Sequence, residues 1–191
     1  MTNLIKTEKS FLDVHVLKDI NILTKCVNEI DGKLEKNPKI TVYGNSAIQH
    51  RCIGFFSDKS VGYKYSGQLM KSQQLTNDLT ILLNQVNKFF KTDFNGILVN
   101  KYSDGNDYIG AHSDDEKCLS DVGVVSISYG CTRKFRIRDK NSKKIIGDIP
   151  TKPNEMIHMG GNFQQEFTHE IPIEKTIMLP RWSFTFRKHN E

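Results

Sequence analysis

Asn100-Lys101-Tyr102-Ser103-Asp104-Gly105-Asn106-Asp107-Tyr108-Ile109-Gly110-Ala111-His112-Ser113-Asp114-Asp115-Glu116 is the segment from which the rest of the chain can be read. His112 and Asp114 are two residues apart, so on an extended segment, where side chains alternate between faces, both project the same way and can hold one metal ion. A third ligand is needed. His169 is the best candidate, in the second, proline-terminated extended segment Gln165-Glu166-Phe167-Thr168-His169-Glu170-Ile171-Pro172. Two imidazoles and a carboxylate on one side of a metal leave coordination positions open on the other. The plain alternative for the triplet, with Asp115 and Glu116 behind it, is a solvated acidic turn.

Around this segment the pattern is that of short strands. Gly96 to Tyr102, Val122 to Tyr129, Lys134 to Arg138, Lys144 to Ile149, Glu155 to Met159, Phe167 to Ile171, Thr176 to Leu179 and Trp182 to Arg187 have β-branched or aromatic content with partial alternation. Upstream, Leu17, Ile20, Leu23, Val27 and Ile30 recur at helical spacing, with Gly32 as a stop. A wider apolar stripe, Leu75, Leu79, Leu82, Leu83, Val86, Phe89 and Phe90, predicts a second helix packed on the core. Between the helices, Ile40-Thr41-Val42-Tyr43-Gly44 reads as a strand into a turn, and the aromatic- and glycine-rich run from Arg51 to Gly67 as a lid or hairpin rather than core. Two helices followed by about eight strands predict an α+β fold with a jelly roll of two facing sheets.

The chain has 191 residues, enough to bury a core in a single domain. No run approaches the roughly 18 apolar residues of a membrane span, and Met1-Thr2-Asn3-Leu4-Ile5-Lys6 lacks a signal peptide's apolar block, so an intracellular protein is expected. Cys26, Cys52, Cys118 and Cys131 form no C-x-x-C pair, so neither a zinc ribbon nor a disulfide framework is suggested and reduced thiols are expected. The net charge of +5 is mildly favourable for a polyanionic partner.

In Arg181-Trp182-Ser183-Phe184-Thr185-Phe186-Arg187 the two arginines, with Ser183 and Thr185 between them, share one face of a strand while the aromatic residues take the other. Two guanidinium forks and two hydroxyls on one face can clamp a dicarboxylate; the alternative is a surface strand with charged ends. Open positions on a two-histidine, one-carboxylate metal are what non-haem Fe(II) oxygenases use to bind a co-substrate and O2. The order N-x-Y, H-x-D, distant His and R-x-S-x-T-x-R resembles the AlkB family of Fe(II)- and 2-oxoglutarate-dependent nucleic-acid dioxygenases over roughly residues 38 to 188. The run His112-Ser113-Asp114-Asp115-Glu116 is similar to the H-x-D-D-E signature of the branch with the second and third human homologues.

That resemblance implies a double-stranded β-helix core at 73–191 that includes the second helix, a nucleotide-recognition lid at 38–72 and an N-terminal helical segment at 1–37. By it, His112, Asp114 and His169 ligate Fe(II); Asn100, Tyr102, Arg181, Ser183, Thr185 and Arg187 hold 2-oxoglutarate, Ser183 standing where the family usually has Asn. His158 is the rival third ligand, but His169 with Ile171-Pro172 fits the family pattern better. Tyr63-Lys64-Tyr65-Ser66-Gly67 resembles the lid element Y-x-F-S-G, which puts Tyr65 on the target base with Tyr63 beside it, Asp115 and Glu116 near the base edge, and Tyr43-Gly44 at the finger that fills the gap of a flipped base. Arg51, Arg133, Lys134, Arg136 and Arg138 are candidates for phosphate contacts.

The implied activity is oxidative removal of N-alkyl groups from bases such as 1-methyladenine and 3-methylcytosine in DNA, with RNA as a further substrate class. Fe(II), O2 and 2-oxoglutarate would be consumed or used, formaldehyde, succinate and CO2 released, and the enzyme would act as a monomer on a flipped base. Two other readings stand beside it: a 2-oxoglutarate oxygenase acting on a protein or small molecule, and a non-catalytic nucleic-acid-binding module on a jelly-roll scaffold.

Overall fold

The structure, a computed structural model, describes residues 2–42, 44–65, 68–114 and 123–189. The chain begins with a strand hairpin, β1 (Thr2–Lys6) and β2 (Ser10–Val16), and only then enters α1 (Asn21–Ile30). The first 37 residues are therefore not simply helical. β2 joins a sheet by pairing along Glu155–Gly161, with the adjacent Leu12 and Asp13 both buried.

β3 (Glu35–Lys36) and the hairpin β4 (Lys39–Val42) and β5 (Asn45–Ile48) follow, the latter turning at Gly44 with φ 80°. β6 (Cys52–Phe56) departs from the expectation of a lid throughout 51–67: Ile53, Phe55 and Phe56 are buried, because this five-residue run pairs along β9 and is covered on both faces. β7 (Gly62–Tyr65) and β8 (Gln68–Lys71) make a second, separate hairpin. α2 (Asn77–Phe90) starts where Thr76 accepts a hydrogen bond from the Leu79 N–H, and ends at Lys91 in the left-handed conformation.

The remaining strands are β9 (Gly96–Tyr102), β10 (Ile109–His112), β11 (Val124–Gly130), β12 (Lys134–Asp139), β13 (Ile145–Pro150), β14 (Glu155–Gly161), β15 (Phe167–Ile171) and β16 (Arg181–Arg187), with the short α3 (Phe163–Glu166) before β15. The segment 176–179 is no strand. It has β-type residues but pairs with no strand among the described residues, so Met178 and Leu179 stand exposed in a loop between Pro172 and Pro180.

Two antiparallel sheets face each other, β1-β2-β14-β11-β16-β9-β6-β3 and β10-β15-β12-β13. Period-two alternation on the central strands of the large sheet divides its faces. Ile97, Val99, Val125, Ile127, Trp182, Phe184 and Phe186 pack under α1 and α2 with Leu23, Leu79, Leu82 and Val86. On the opposite face Tyr102, Val124, Ile157 and Met159 meet Phe135, Ile137, Phe167 and Ile171 of the small sheet. Burial of the helical face contributes about 25 cal/mol per Å² of apolar surface removed from water. The helices thus act as a rigid back plate, and the site opens between the sheets.

Candidate active site

His112 and His169 are direct cross-strand partners in the β10–β15 pair, which brings their rings to 4.4 Å between centroids. Asp114, just past β10, is held there by its backbone N–H donating to Gln164 Oε1 at 2.9 Å, while the Ser113 hydroxyl donates to the Phe167 carbonyl at 2.9 Å. The three residues offer one ligand atom each within 4.8 Å of one another. Ligands held about 2.0–2.2 Å from one metal stand closer than that to each other, so a small inward rotation closes the triad on an ion.

Orientation is also set from behind. His112 Nδ1 lies 2.8 Å from the Gly110 carbonyl, which leaves Nε2 facing the centre. The Phe135 ring stacks on His169 at 5.0 Å and 17°. Burial lowers the pKa of His112 and, with the neighbouring His112, pushes His169 down to about 3. Burial alone would raise the Asp114 carboxyl, but the Arg187 guanidinium and the two histidines more than offset this and hold it at about 2. All three groups are in the metal-binding protonation state at neutral pH, so the 3.6 Å approach of His169 Nε2 to Asp114 Oδ2 is not an ion pair.

The face of β16 expected to carry the clamp faces the pocket that the triad lines. Arg181, Ser183, Thr185 and Arg187 are all on it, and all are buried, which removes the alternative of a surface strand. Arg181 Nε donates to Thr151 Oγ1 at 3.0 Å and Nη2 to Ser128 Oγ at 2.9 Å, beside Tyr102, while its buried Nη1 makes no well-formed hydrogen bond among the described residues. An orphaned donor on a desolvated guanidinium is costly unless an anion completes it, so the site fits a carboxylate. Tyr102 and Asn100 come from β9 beside Arg181, at paired positions Arg181↔Tyr102 and Ser183↔Asn100. Arg187 Nη2 donates to Asp114 Oδ1 at 3.1 Å, and its guanidinium lies over the Tyr63 ring at 4.9 Å.

The profile of the 2OG-Fe(II) oxygenase superfamily matches residues 21–187. The chain belongs to that superfamily. As a 2OG-Fe(II) oxygenase it uses Fe(II), 2-oxoglutarate and O2, and its relatives place it among the AlkB homologues. It is 27% identical over 177 residues to "DNA oxidative demethylase ALKBH2" of Homo sapiens, covering 84% of this chain and 68% of that one. The Mus musculus protein of the same name is 30% identical over 161 residues, with 78% and 66% covered. "Alpha-ketoglutarate-dependent dioxygenase alkB homolog 3" of Bos taurus is 31% identical over 135 residues, 65% of this chain and 47% of that one. The oxygenase thus spans about two thirds of the ALKBH2 sequences and about half of alkB homolog 3. The solved structure of OsALKBH1 superposes with a TM-score of 0.58 at 16% identity over 93% of this chain and 97% of that one, a likeness of fold.

Other expected site residues fall in different places. His158 lies on the helix side of β14, its ring against Phe11 and Phe90 at 5.0 and 4.9 Å, and does not line the pocket. Tyr63 does line it and is buried. Tyr43, Asp115, Glu116 and the Tyr65 side chain lie outside the described residues; Gly44 sits at the tip of the β4–β5 hairpin.

The phosphate candidates need correction. Arg51 and Arg133 are buried and cannot reach a backbone outside: Arg51 Nε donates to Asn100 Oδ1 at 2.7 Å, and Arg133 is bonded to Glu174 and to the Asp104, Asp107 and Pro172 carbonyls. Arg136 pairs with both oxygens of Asp148, and Arg138 with Glu170. Lys134 remains exposed, 3.8 Å from Glu174. Gln164, Ser128, Thr151 and Phe135 were not legible as site residues, since each supports a functional group from a distant strand and carries no local motif.

Proposed function

We propose that this oxygenase is an oxidative demethylase that repairs N-alkylated bases, 1-methyladenine and 3-methylcytosine among them, in DNA. The observation that carries this reading is the single pocket in which the His112, Asp114 and His169 triad meets both a carboxylate clamp and an aromatic of the lid, Tyr63. The relatives named as DNA demethylases, similar over most of this chain, support the same substrate class.

In this reading His112, Asp114 and His169 hold iron, which, when bound, supplies the oxidation of an N-methyl group coupled to decarboxylation of 2-oxoglutarate. Asn100, Tyr102, Arg181, Ser183 and Thr185 orient the co-substrate, Arg181 through its open Nη1. Arg187 joins them in holding the co-substrate and couples the two halves of the site: it neutralises Asp114 and supports Tyr63 beside Tyr65. Water is excluded by Leu98, Ile109, Phe135 and Ile171 around the pocket. Tyr65 stacks on the flipped base, with Tyr43 and Gly44 at the gap it leaves and Asp115 and Glu116 at its edge. Methylation lowers the cost of extrusion by weakening pairing, and stacking returns roughly 1–3 kcal/mol. A monomer acting on DNA first, and on RNA as a second substrate, completes the proposal.

The test compares 2-oxoglutarate turnover with a methylated oligonucleotide and with the same sequence unmethylated. Stimulation by the methylated strand alone supports the reading; equal turnover with both points to a protein or small-molecule substrate. Tyr65→Ala is expected to weaken oligonucleotide binding about tenfold, the loss of one stacking contact, and an unchanged affinity would remove its assigned role.

A further inference from the structure

Arg51 lies inside the pocket with Asn100, Tyr102 and Arg181, and is 5% exposed. Its backbone is fixed on both sides. The Asn37 N–H donates to the Arg51 carbonyl at 3.1 Å, and the Tyr108 N–H donates to the preceding His50 carbonyl at 3.0 Å, with the His50 ring stacked on Tyr108. From this anchored position Arg51 Nε donates to Asn100 Oδ1 at 2.7 Å, a buried contact between side chains 49 positions apart in sequence.

A carboxamide has one end that accepts and one that donates, and the two are nearly the same shape. Left alone, Asn100 could present either to a ligand. A carboxylate only accepts, so the donor end attracts it and the oxygen end repels it. Because Arg51, which can only donate, occupies Oδ1, the Nδ2 amino group is the end left for the pocket. We propose that Arg51 is a positioning residue that fixes the Asn100 carboxamide with its donor end toward the 2-oxoglutarate carboxylate. This rests on Asn100 being a co-substrate contact. Arg51 is therefore part of the co-substrate machinery rather than of a phosphate-binding surface, and its hydrogen-bond geometry matters more than its charge, which Arg181 and Arg187 already supply.

Side-chain lengths give a matched test. In Gln the Nε2 atom stands at the same place along the side chain as Arg Nε, so Arg51→Gln keeps a donor and removes the charge. Arg51→Met puts a methyl group there, and Arg51→Lys a methylene with the charge kept one atom further out. Mn(II)-loaded proteins are titrated with 2-oxoglutarate by calorimetry. Arg51→Met and Arg51→Lys are expected to weaken binding about tenfold, the loss of one hydrogen bond to a charged group, while Arg51→Gln stays close to the parent. Asn100→Ala should weaken binding similarly, and adding Arg51→Met to it should cost nothing further.

The lysine variant reads the same way if the methionine variant does not fold. Loss of affinity in Arg51→Gln together with Arg51→Met would show action through charge and overturn the inference. Additive losses in the double variant would show that Arg51 contacts the ligand itself, and overturn it too. An unchanged affinity in Asn100→Ala would remove the assigned role of Asn100 and this inference with it, whereas loss in Asn100→Ala but not in Arg51→Met would remove the inference alone.

Discussion

At the scale of single residues, the proposed metal centre is built from groups that are ready before the metal arrives. Ordinary histidines begin to exchange metal for protons below about pH 6.5. Here burial lowers His112 and holds His169 near 3, and Asp114 stays ionised to about 2. Mn(II) affinity is therefore expected to stay nearly level from pH 8 through pH 6; a steep fall between pH 7 and pH 6 would contradict the assignment. The same shifts make the metal-free fold acid-sensitive. The unfolded histidines take protons below 6.5 while the folded ones do not, and the Asp114 contribution, present above its ordinary 3.8, is lost as pH falls toward 2. Replacing His112, Asp114 or His169 by Ala should abolish turnover, and retained activity in any one would remove its ligand role. His112 and Asp114 could be read from the sequence because an extended segment fixes which side chains share a face, whereas His169 is preferred to His158 by its fit to the family pattern. The roles of Arg51 and Arg133 could not, since a basic residue near a strand looks the same whether its partner is solvent, a phosphate or a distant carbonyl.

At the scale of elements, the site depends on how loops and strands are tied. Arg133, whose side chain is fully buried, donates to the Asp104 and Asp107 carbonyls before β10 and to the Pro172 carbonyl and Glu174 carboxylate after β15. It clasps together the segments that lead into His112 and out from His169. Gly105 completes the clasp, its N–H donating to the Ile177 carbonyl at 2.7 Å where a methyl group would run into the Glu174 carbonyl. Arg133→Met should destabilise the protein by about 3 kcal/mol or more in urea unfolding, because it leaves buried acceptors unpaired. A change under about 1 kcal/mol would show that the clasp is not cooperative. α1, α2 and β16 followed from periodicity, which records which face is buried, whereas the one-turn α3 takes in Gln165 and Glu166, which read as extended. β1, β2 and the core position of β6 did not, because a strand's place in a sheet is decided by partners remote in sequence, and for the same reason the apolar run 176–179 finds no strand to join.

At the scale of the whole molecule, the large sheet carries helices on one face and the clamp residues of β9 and β16 on the other, facing the His112 and His169 pair of the small sheet, so binding site and hydrophobic core share strands. β16 shows this most directly, with Trp182, Phe184 and Phe186 in the core and Arg181, Ser183, Thr185 and Arg187 in the pocket. Ligand binding should therefore be felt by the entire fold. Mn(II) alone at a hundredfold its Kd should stabilise the protein by about 2.7 kcal/mol, seen as a rise of roughly 5–10 °C in Tm. No such rise is expected in His112→Ala. The most direct test of the whole account is anaerobic loading with Fe(II) and 2-oxoglutarate, followed by air and paired single- and double-stranded oligonucleotides carrying 1-methyladenine, with base mass and succinate followed together. The account predicts loss of the methyl group in step with succinate. Succinate without demethylation, or neither product from protein that has bound iron, would contradict it.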